Sequence, residues 1–275
     1  MADRITRCRP LLGTFVEVTA DSGPAIDSAF EAIERAHRLM SAHEPASDLS
    51  KVNRLAHRQA VEVDRWTAAV LERALFWSRQ SQGLFDIVRA GKAAVERGRL
   101  PLHPGQPRPE AGHWTWLELQ GPIVRLLKPG CVDLGGIAKG FAVDRAVAAL
   151  KAAGASLGLV NAGGDIAGFG PQPWPVQVVQ PETRRAIANV GLCNGAIATS
   201  SVLPGGLGDH LVGRDGRLLS ATACARNAMD ADALAKIALS GSPIAAHCLR
   251  IAKAEAFVLA SDGAICAIDR ELRAA

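Results

Sequence analysis

The chain has 275 residues, a length that suits one large domain or two small ones. Hydrophobic residues make up 48% of the chain, enough to bury a substantial core, while aromatic residues make up only 4%. The net charge of +4 comes from scattered side chains with no run of five or more Lys or Arg, so the composition does not indicate a nucleic-acid-binding protein.

Three features of the sequence bear on the cellular compartment. No stretch of about 18 apolar residues occurs, so we expect no membrane span. The first ten residues lack the apolar segment of a signal peptide. The six cysteines are dispersed without a Cys-x-x-Cys pair, so we expect reduced thiols and no zinc site: they are Cys8, Cys131, Cys193, Cys224, Cys248 and Cys266. We therefore expect a cytoplasmic protein.

The N-terminal region is predicted to form a strand followed by a long helix. Residues 11–20 combine β-forming and polar side chains in alternation, which predicts a strand. Ser22 or Gly23 then caps a helix that has Pro24 in its first turn. Apolar residues at helical spacing continue to Met40 and predict a helix face packed on the core.

The next region alternates polar loops with helices. Residues 41–53 form a polar loop that runs into a short helix, capped by Ser47 or Asp48. A second helix is predicted from Thr67 to Gln82, with Gly83 ending it. After an exposed, proline-rich segment over 101–112, two strands are predicted over 114–119 and 123–127.

A glycine turn follows residues 131–134, which are predicted to form a short buried strand. Gly135 and Gly136 permit unusual backbone angles or close approach of a ligand. A helix is predicted from Lys139, so the turn presents free backbone N–H groups at the positive end of a helix, a suitable place for a phosphate. Lys139 adds a cation, and Asp133 an acceptor or metal contact. A turn needed only for packing remains the alternative interpretation.

The C-terminal half is predicted to contain mainly strands. Residues 157–162 form a buried strand that ends in Gly163, Gly164 and Asp165, so the two Gly-Gly segments could share one binding edge. Asp230 is predicted to cap a helix over 231–240. Further strands are predicted over 175–179, 186–192 and 196–199, and a closing hairpin over 256–259 and 264–268 around Asp262-Gly263. Helices between strands, then strands in succession, predict an α+β fold.

Several segments in this order resemble the ApbE family of FAD:protein FMN transferases. Residues 83–87, for example, match the family's Gly-x-Phe-Asp-Ile, and residues 132–144 and 160–165 match its two Gly-Gly segments. The other matching segments are Leu12-Gly13-Thr14, residues 40–53, Ala198-Thr199-Ser200, His210 and residues 231–235. The resemblance runs from Leu12 to the C-terminal hairpin.

The resemblance implies a single domain over 1–275, with an α+β, mixed-sheet fold and an FAD-binding cleft. It also implies an enzyme that transfers FMN from FAD to a Thr or Ser of an acceptor protein, with Mg²⁺ as cofactor and AMP as the second product. This chemistry requires positioning and charge neutralisation at a diphosphate more than covalent catalysis. Mg²⁺ suits such a site, because it binds one or two carboxylates together with phosphates and water.

The resemblance also assigns residues. It implies that the carbonyl of Gly136 and the carboxylate of Asp232 bind Mg²⁺ and that His210 is the base that activates the acceptor hydroxyl. His43 stands in place of the family's stacking Tyr. The residues expected to contact FAD are Leu12, His43, Leu84, Phe85, Asp86, Asp133, Lys139 and Leu211.

The sequence departs from the family pattern in the metal-binding half. Lys236 occupies the place of a Thr that binds the metal four residues after Asp232, and an ammonium group cannot coordinate Mg²⁺. On a helix, Asp232 and Lys236 are neighbours at i and i+4 and could pair. The family's loop after its His is reduced here to residues 210–216, and Ser201 replaces a Gly.

Two alternatives to transfer therefore stay open. One is an FAD-binding protein that has lost transfer and acts as a carrier or partner subunit. The other is hydrolysis of FAD to FMN and AMP, with water in place of the acceptor. An enzyme is favoured by the presence of Asp133, Gly136 and Asp232. The two alternatives without transfer are favoured by Lys236 and by the reduced loop.

Overall fold

The computed structural model describes residues 4–202 and 216–268, which contain seven α-helices, one 3-10 helix and thirteen strands. The helices are α1 (Gly23–Met40), α2 (Asp48–Leu55), α3 (Arg65–Gln80), α4 (Ile87–Glu96), α5 (Ala138–Ala152), α6 (Ala228–Leu239) and α7 (Ile244–Ala252), with the 3-10 turn at Trp114–Trp116. The strands are β1 (Ile5–Leu11), β2 (Thr14–Ala20), β3 (Val61–Glu62), β4 (Leu117–Gln120), β5 (Ile123–Leu126), β6 (Gly158–Ala162), β7 (Asp165–Phe169), β8 (Trp174–Val179), β9 (Ala186–Leu192), β10 (Gly195–Ser201), β11 (Leu218–Ala225), β12 (Glu255–Ala260) and β13 (Ile265–Ile268).

An eight-stranded sheet forms the centre of the fold, in the order β1-β2-β6-β7-β10-β11-β12-β13. A three-stranded sheet, β3-β5-β4, and the pair β8-β9 accompany it. The α+β class is confirmed. We expected a mixed sheet; each strand pair in the described residues is antiparallel, since most neighbours in the large sheet are successive strands.

The two faces of the large sheet are covered by different elements. Helices α1, α5 and α6 pack on one face, where Val16, Val160 and Ala198 are fully buried. The pair β8-β9 packs on the other face, where Trp174 and Val176 contact side chains such as Ile197. Alternate residues of the central strands point to opposite faces, so each strand contributes to both layers.

The N-terminal strand prediction needs a correction. Residues 11–20 form not one strand but the end of β1, a turn and β2, and β1 pairs with β2 in register from Ile5–Ala20 to Leu11–Thr14. Leu12 and Gly13 form the turn with φ angles of 56° and 72°. Leu12 is therefore a non-glycine residue in the left-handed region, which raises its conformational energy.

Two of the predicted helix caps are confirmed, and two others lie at different residues. Ser22 caps α1 and Ser47 caps α2 by accepting backbone N–H bonds. Helix α3 starts earlier than predicted because Asp64, not Thr67, caps it. Helix α6 also starts earlier than predicted: Asn227 caps it by accepting the N–H of Asp230, which lies in the first turn.

Across the described ranges, none of the helices combines the length and the apolar character that crossing a lipid bilayer requires.

Candidate functional site

The glycine turn is held in place by a buried asparagine on α2. The side chain of Asn53 accepts a hydrogen bond from the N–H of Val132 at 2.7 Å and donates one to the carbonyl of Val132 at 3.0 Å. The N–H of Asp133 donates to the carbonyl of Ile87 at 2.9 Å. Cys131, Val132 and Leu134 are buried, but residues 131–134 belong to no strand, which corrects the strand predicted there.

Helix α4 approaches this segment too closely for any side chain at the contact. A Cβ atom on Gly91 would lie 2.0 Å from the carbonyl oxygen of Cys131. Only glycine permits this approach, so the turn is fixed between α2 and α4. The contact of Asn53 with Val132 and that of Gly91 with Cys131 therefore set the position of Asp133, which follows directly in the chain.

The larger of two adjoining cavities has a volume of about 260 Å³ and lies on one side of the glycine turn. It brings together four of the predicted FAD contacts, Leu12, His43, Asp133 and Lys139. The remaining wall is formed by Gly13, Ala36, His37, Met40, Ser41, Ala42, Leu49, Leu100, Leu134, Gly135 and Ala138. A mainly apolar cavity with a few polar groups is typical of a ligand site.

A smaller cavity of about 30 Å³ lies on the other side of the turn. Leu84, Phe85 and Asp86 line it, opposite Gly136 and Lys236. The Asp86 carboxylate is already engaged: it accepts N–H bonds from Val88, Arg89 and Trp114, and so caps α4. Asp86 thus lines the cavity, as predicted, but its carboxylate accepts hydrogen bonds from backbone N–H groups and is not free to bind a ligand.

Two lysine–aspartate pairs lie beside the turn. The Nζ of Lys139 is 2.8 Å from the Oδ2 of Asp165, and the Nζ of Lys236 is paired with the Oδ1 of Asp232. Both carboxylates are almost fully buried, with side chains 3% and 2% exposed. Asp232 Oδ2 is also buried and has no hydrogen-bond partner among the described residues. Asp165 Oδ2 likewise has no well-directed hydrogen bond, so its contact with Lys139 is chiefly an ion pair.

Burial and the neighbouring charges shift the pKa values of Asp165 and Lys139. Burial raises the pKa of Asp165 to about 6, the charge of Asp232 adds to this shift, and Lys139 and Lys236 oppose it. Burial alone would lower the pKa of Lys139, but Asp165 and Asp232 outweigh it and the pKa is raised. Lys139 is therefore a permanent cation at neutral pH.

The structure assembles most of the predicted site residues around one turn. Gly136 and Asp232 are connected through Lys236: a Cβ on Gly136 would lie 3.0 Å from Lys236 Cδ, and the ammonium pairs with Asp232. His210 and Leu211, the predicted base and a predicted pocket residue, lie outside the described residues.

Three residues of the site were absent from the predicted site: Asn53, Asp165 and Lys236. The sequence carried a signal for two of them. Asp165 follows a second Gly-Gly turn after a buried strand, and Lys236 is four residues after Asp232. Asn53 ends the segment 40–53 that resembles the family, but its contact with Val132, 79 residues away, has no signal in the sequence.

Comparison of the sequence with known families and proteins gives one consistent result. A sequence model of the ApbE family matches residues 12–257. The FAD:protein FMN transferase of Treponema pallidum is 29% identical over 189 residues, which cover 60% of this chain and 51% of that protein. The FAD:protein FMN transferase of Rhodobacter capsulatus is 32% identical over 178 residues, 60% of this chain and 34% of that protein. The chain thus matches about half, or less, of the length of these two relatives.

Solved structures show the same fold over nearly the whole chain. The flavin transferase ApbE from Vibrio cholerae superposes with a TM-score of 0.81 at 20% identity and covers 97% of both chains. The ApbE protein of Thermotoga maritima superposes with a TM-score of 0.84 at 22% identity and covers 98% of both chains. At these identities the likeness establishes the fold.

Proposed function

The chain belongs to the ApbE family, and on that premise we propose that it is an FAD:protein FMN transferase. In this reaction the hydroxyl oxygen of a Thr or Ser of an acceptor protein attacks the FMN phosphorus of FAD. A new phosphoester bond forms, the bond between that phosphorus and the bridging oxygen breaks, and AMP leaves. The hydroxyl proton passes to a base. The observation that carries the proposal is the glycine turn with an ammonium group on each side, next to the 260 Å³ cavity.

The binding roles follow the two cavities. We assign Leu12 and His43 to contacts with FAD in the larger cavity, and Leu84, Phe85 and Asp86 to the flavin side of the smaller one. The role of Asp86 there is to position the backbone, since its carboxylate accepts hydrogen bonds from three N–H groups. Lys139 and Asp133 flank the position proposed for the diphosphate. Permanent positive charge beside a diphosphate stabilises the charge that develops during transfer.

His210 remains our candidate for the base that accepts the hydroxyl proton, and Leu211 for a neighbouring pocket residue. Both assignments rest on the family resemblance. An imidazole near its ordinary pKa is suited to this step close to neutral pH.

Magnesium at Gly136 and Asp232 remains a prediction that the donor set fits only in part. In favour of a cation, Asp232 Oδ2 is buried without a hydrogen-bond partner in the described part of the chain. Against it, Asp232 Oδ1 is paired with Lys236, whose side chain also packs against Gly136. No group of three His, Cys, Asp or Glu side chains converges within the described ranges. The residue roles above therefore do not depend on a metal ion.

The pairing of Lys236 with Asp232 also favours a second candidate, an FAD-binding protein without transfer. This candidate keeps the same cavities and the same lysines. It differs only in the absence of a product, so a single assay separates the two.

The test is mass spectrometry of the protein incubated with FAD and a peptide that contains the Thr acceptor sequence of known substrates, with and without Mg²⁺. We expect the peptide to gain the mass of an FMN moiety and AMP to appear in equal amount. His210→Ala is the matched control and should give no modified peptide. AMP with free FMN and unmodified peptide indicates hydrolysis, while intact bound FAD indicates the binding protein.

We further propose that residues 1–275 form one domain and that the protein acts in the cytoplasm. Helix α6 supports the first proposal, because its residues belong to two of the hydrophobic clusters. The second is supported by the cysteines, all six of which are free thiols. The proposed partner is an acceptor protein with a Thr or Ser modification site.

A further inference from the structure

The ammonium group of Lys236 is surrounded by oxygen atoms in the way that a bound cation would be. It is paired with Asp232 Oδ1, and it lies 3.5 Å from the backbone carbonyl oxygen of Asp232 and 3.4 Å from Ser200 Oγ. Only 18% of the Lys236 side chain is exposed. The contact with Asp232 Oδ1 fixes the ammonium group, whereas the contacts of 3.4 and 3.5 Å are at the limit of hydrogen-bond length and can be exchanged for a ligand oxygen.

The Lys236 side chain also reaches the glycine turn. A Cβ on Gly136 would lie 3.0 Å from Lys236 Cδ and 3.1 Å from Lys236 Cε, so the aliphatic stem lies against this glycine. Lys236 lines the smaller cavity, and Lys139 lines the larger cavity on the other side of the turn. A ligand that passes the turn therefore meets one ammonium group in each cavity.

The charges of this cluster already balance. Asp165 and Asp232 carry two negative charges, and Lys139 and Lys236 carry two positive charges within ion-pair distance. A divalent ion at Asp232 would have to displace the ammonium or stay beside it against like-charge repulsion. The N–H groups of Lys139 and Lys236 that are not held by a carboxylate can donate charge-assisted hydrogen bonds to a diphosphate.

We propose that Lys236 supplies the fixed cation of the diphosphate site, so that a dinucleotide diphosphate binds here without a divalent metal ion. The proposal rests on the proposed function, because it concerns the same cleft and the same class of ligand. It assigns to a side chain of α6 the charge neutralisation that the family resemblance assigns to Mg²⁺.

The first test is isothermal titration of the full chain with FAD, once in EDTA and once in MgCl₂. We expect the two dissociation constants to agree within about twofold. Binding that is tighter by about tenfold or more in MgCl₂ overturns the proposal and leaves the proposed function standing. Absence of FAD binding under both conditions overturns the proposed function, and the proposal with it.

The second test compares Lys236→Gln with Lys253→Gln, a change at an exposed lysine that ends α7. Glutamine removes the charge and retains N–H donors, on a side chain that is one bond shorter. In EDTA we expect Lys236→Gln to weaken FAD binding by about tenfold or more and Lys253→Gln to leave it unchanged. If the folded Lys236→Gln protein binds FAD as tightly as wild type, the proposal is overturned. Circular dichroism shows whether the variant is folded. If the variant does not fold, the comparison of wild type in EDTA and in MgCl₂ tests the proposal.

A third measurement uses Mn²⁺ as a paramagnetic probe for a divalent-ion site in the ligand-free protein. We expect wild type to leave the electron paramagnetic resonance signal of free Mn²⁺ unchanged, because the ammonium holds the carboxylate. Lys236→Thr removes the ammonium, adds a hydroxyl oxygen and should reduce the signal. Loss of signal with wild type, to the same extent as with the variant, overturns the proposal.

Discussion

At the scale of single residues, the position of the glycine turn depends on one amide side chain. Asn53 satisfies both backbone groups of Val132, and it is only 3% exposed. Buried backbone groups that lose their partners cost free energy. The turn that carries Asp133 and Gly136 is thus fixed from α2 rather than by its own sequence.

Replacement of Asn53 by alanine should therefore affect stability and binding together. We expect Asn53→Ala to lower the free energy of unfolding by about 2–4 kcal/mol, because two buried backbone groups lose their partners. We also expect weaker FAD binding, because the turn is no longer held. Urea denaturation and titration with FAD measure the two effects.

The matched control for this change is Asn189→Ala, at an exposed position on β9. It should leave both quantities near the wild-type values. A folded Asn53→Ala protein with unchanged FAD affinity would show that the turn keeps its place without the amide.

At the scale of elements, α5 and α6 meet through a carboxylate at a helix start. Asp144 of α5 accepts N–H bonds from Ala228 and Met229, the first residues of α6, at 2.7 and 2.9 Å. The positive end of a helix favours the ionised form. Burial outweighs this effect and raises the pKa of Asp144 from 3.8 to about 6.

This shift predicts a pH dependence of stability. Because the folded-state pKa lies above the unfolded one, the folded state binds the proton more tightly, and the contribution of Asp144 to stability is lost as pH rises through about 6. Between pH 4.5 and 7 this amounts to about 2 kcal/mol. In Asp144→Asn we expect the difference between the unfolding free energies at these two pH values to change by that amount. Urea denaturation at both pH values measures it.

Asp262→Asn serves as the control, because Asp262 lies in the exposed turn between β12 and β13. Its pH dependence should follow that of wild type. If Asp144→Asn also follows wild type, the ionisation of Asp144 does not couple to folding.

The elements show which parts of the fold local sequence determines. The long amphipathic helix α1 and the caps Ser22 and Ser47 were predicted, because spacing and cap chemistry act within one or two turns. Helices α4 and α7 were not predicted. In α4, a glycine in the middle weakens the pattern, and that glycine is required by contact with Cys131, about forty residues further along the chain. Strand β1 was missed because five of its seven residues are exposed and carry no buried face.

The candidate site was predictable to a similar extent. The two Gly-Gly segments were expected to share an edge, and the pair of Lys139 and Asp165 joins them. The pairing of Lys236 with Asp232 followed from helical spacing. The sequence did not reveal that Lys236 also packs on Gly136, or that Asp86 is occupied by backbone N–H groups. Both facts depend on tertiary contacts.

At the scale of the whole molecule, burial divides the six thiols into reactive and unreactive groups. Cys8, Cys193 and Cys266 are exposed, whereas Cys131 and Cys248 are buried. Burial raises the pKa of Cys131 to about 12 and that of Cys248 to about 11, and the half-buried Cys224 is raised to about 11 as well. The thiolate is the form that reacts, so these three thiols are protected.

Alkylation of the native protein should reflect this division. With iodoacetamide at pH 8 we expect Cys8, Cys193 and Cys266 to be labelled, and Cys131, Cys224 and Cys248 to react only after denaturation. Peptide mass spectrometry identifies the labelled positions, and a sample in guanidinium chloride, with all six labelled, is the control. Native labelling of Cys131 at the rate of Cys8 would contradict the packing around the glycine turn.

The order of strands in the large sheet has a consequence for the synthesis of the chain on the ribosome. Strand β2 pairs on one side with β1, its sequence neighbour, but on the other side with β6, where Glu17 lies opposite Asn161, 144 residues later. At ribosomal rates this interval lasts on the order of ten seconds. The nascent hairpin therefore presents an open edge throughout that time, and the charge of Glu17 in the middle of β2 opposes pairing with a second nascent chain.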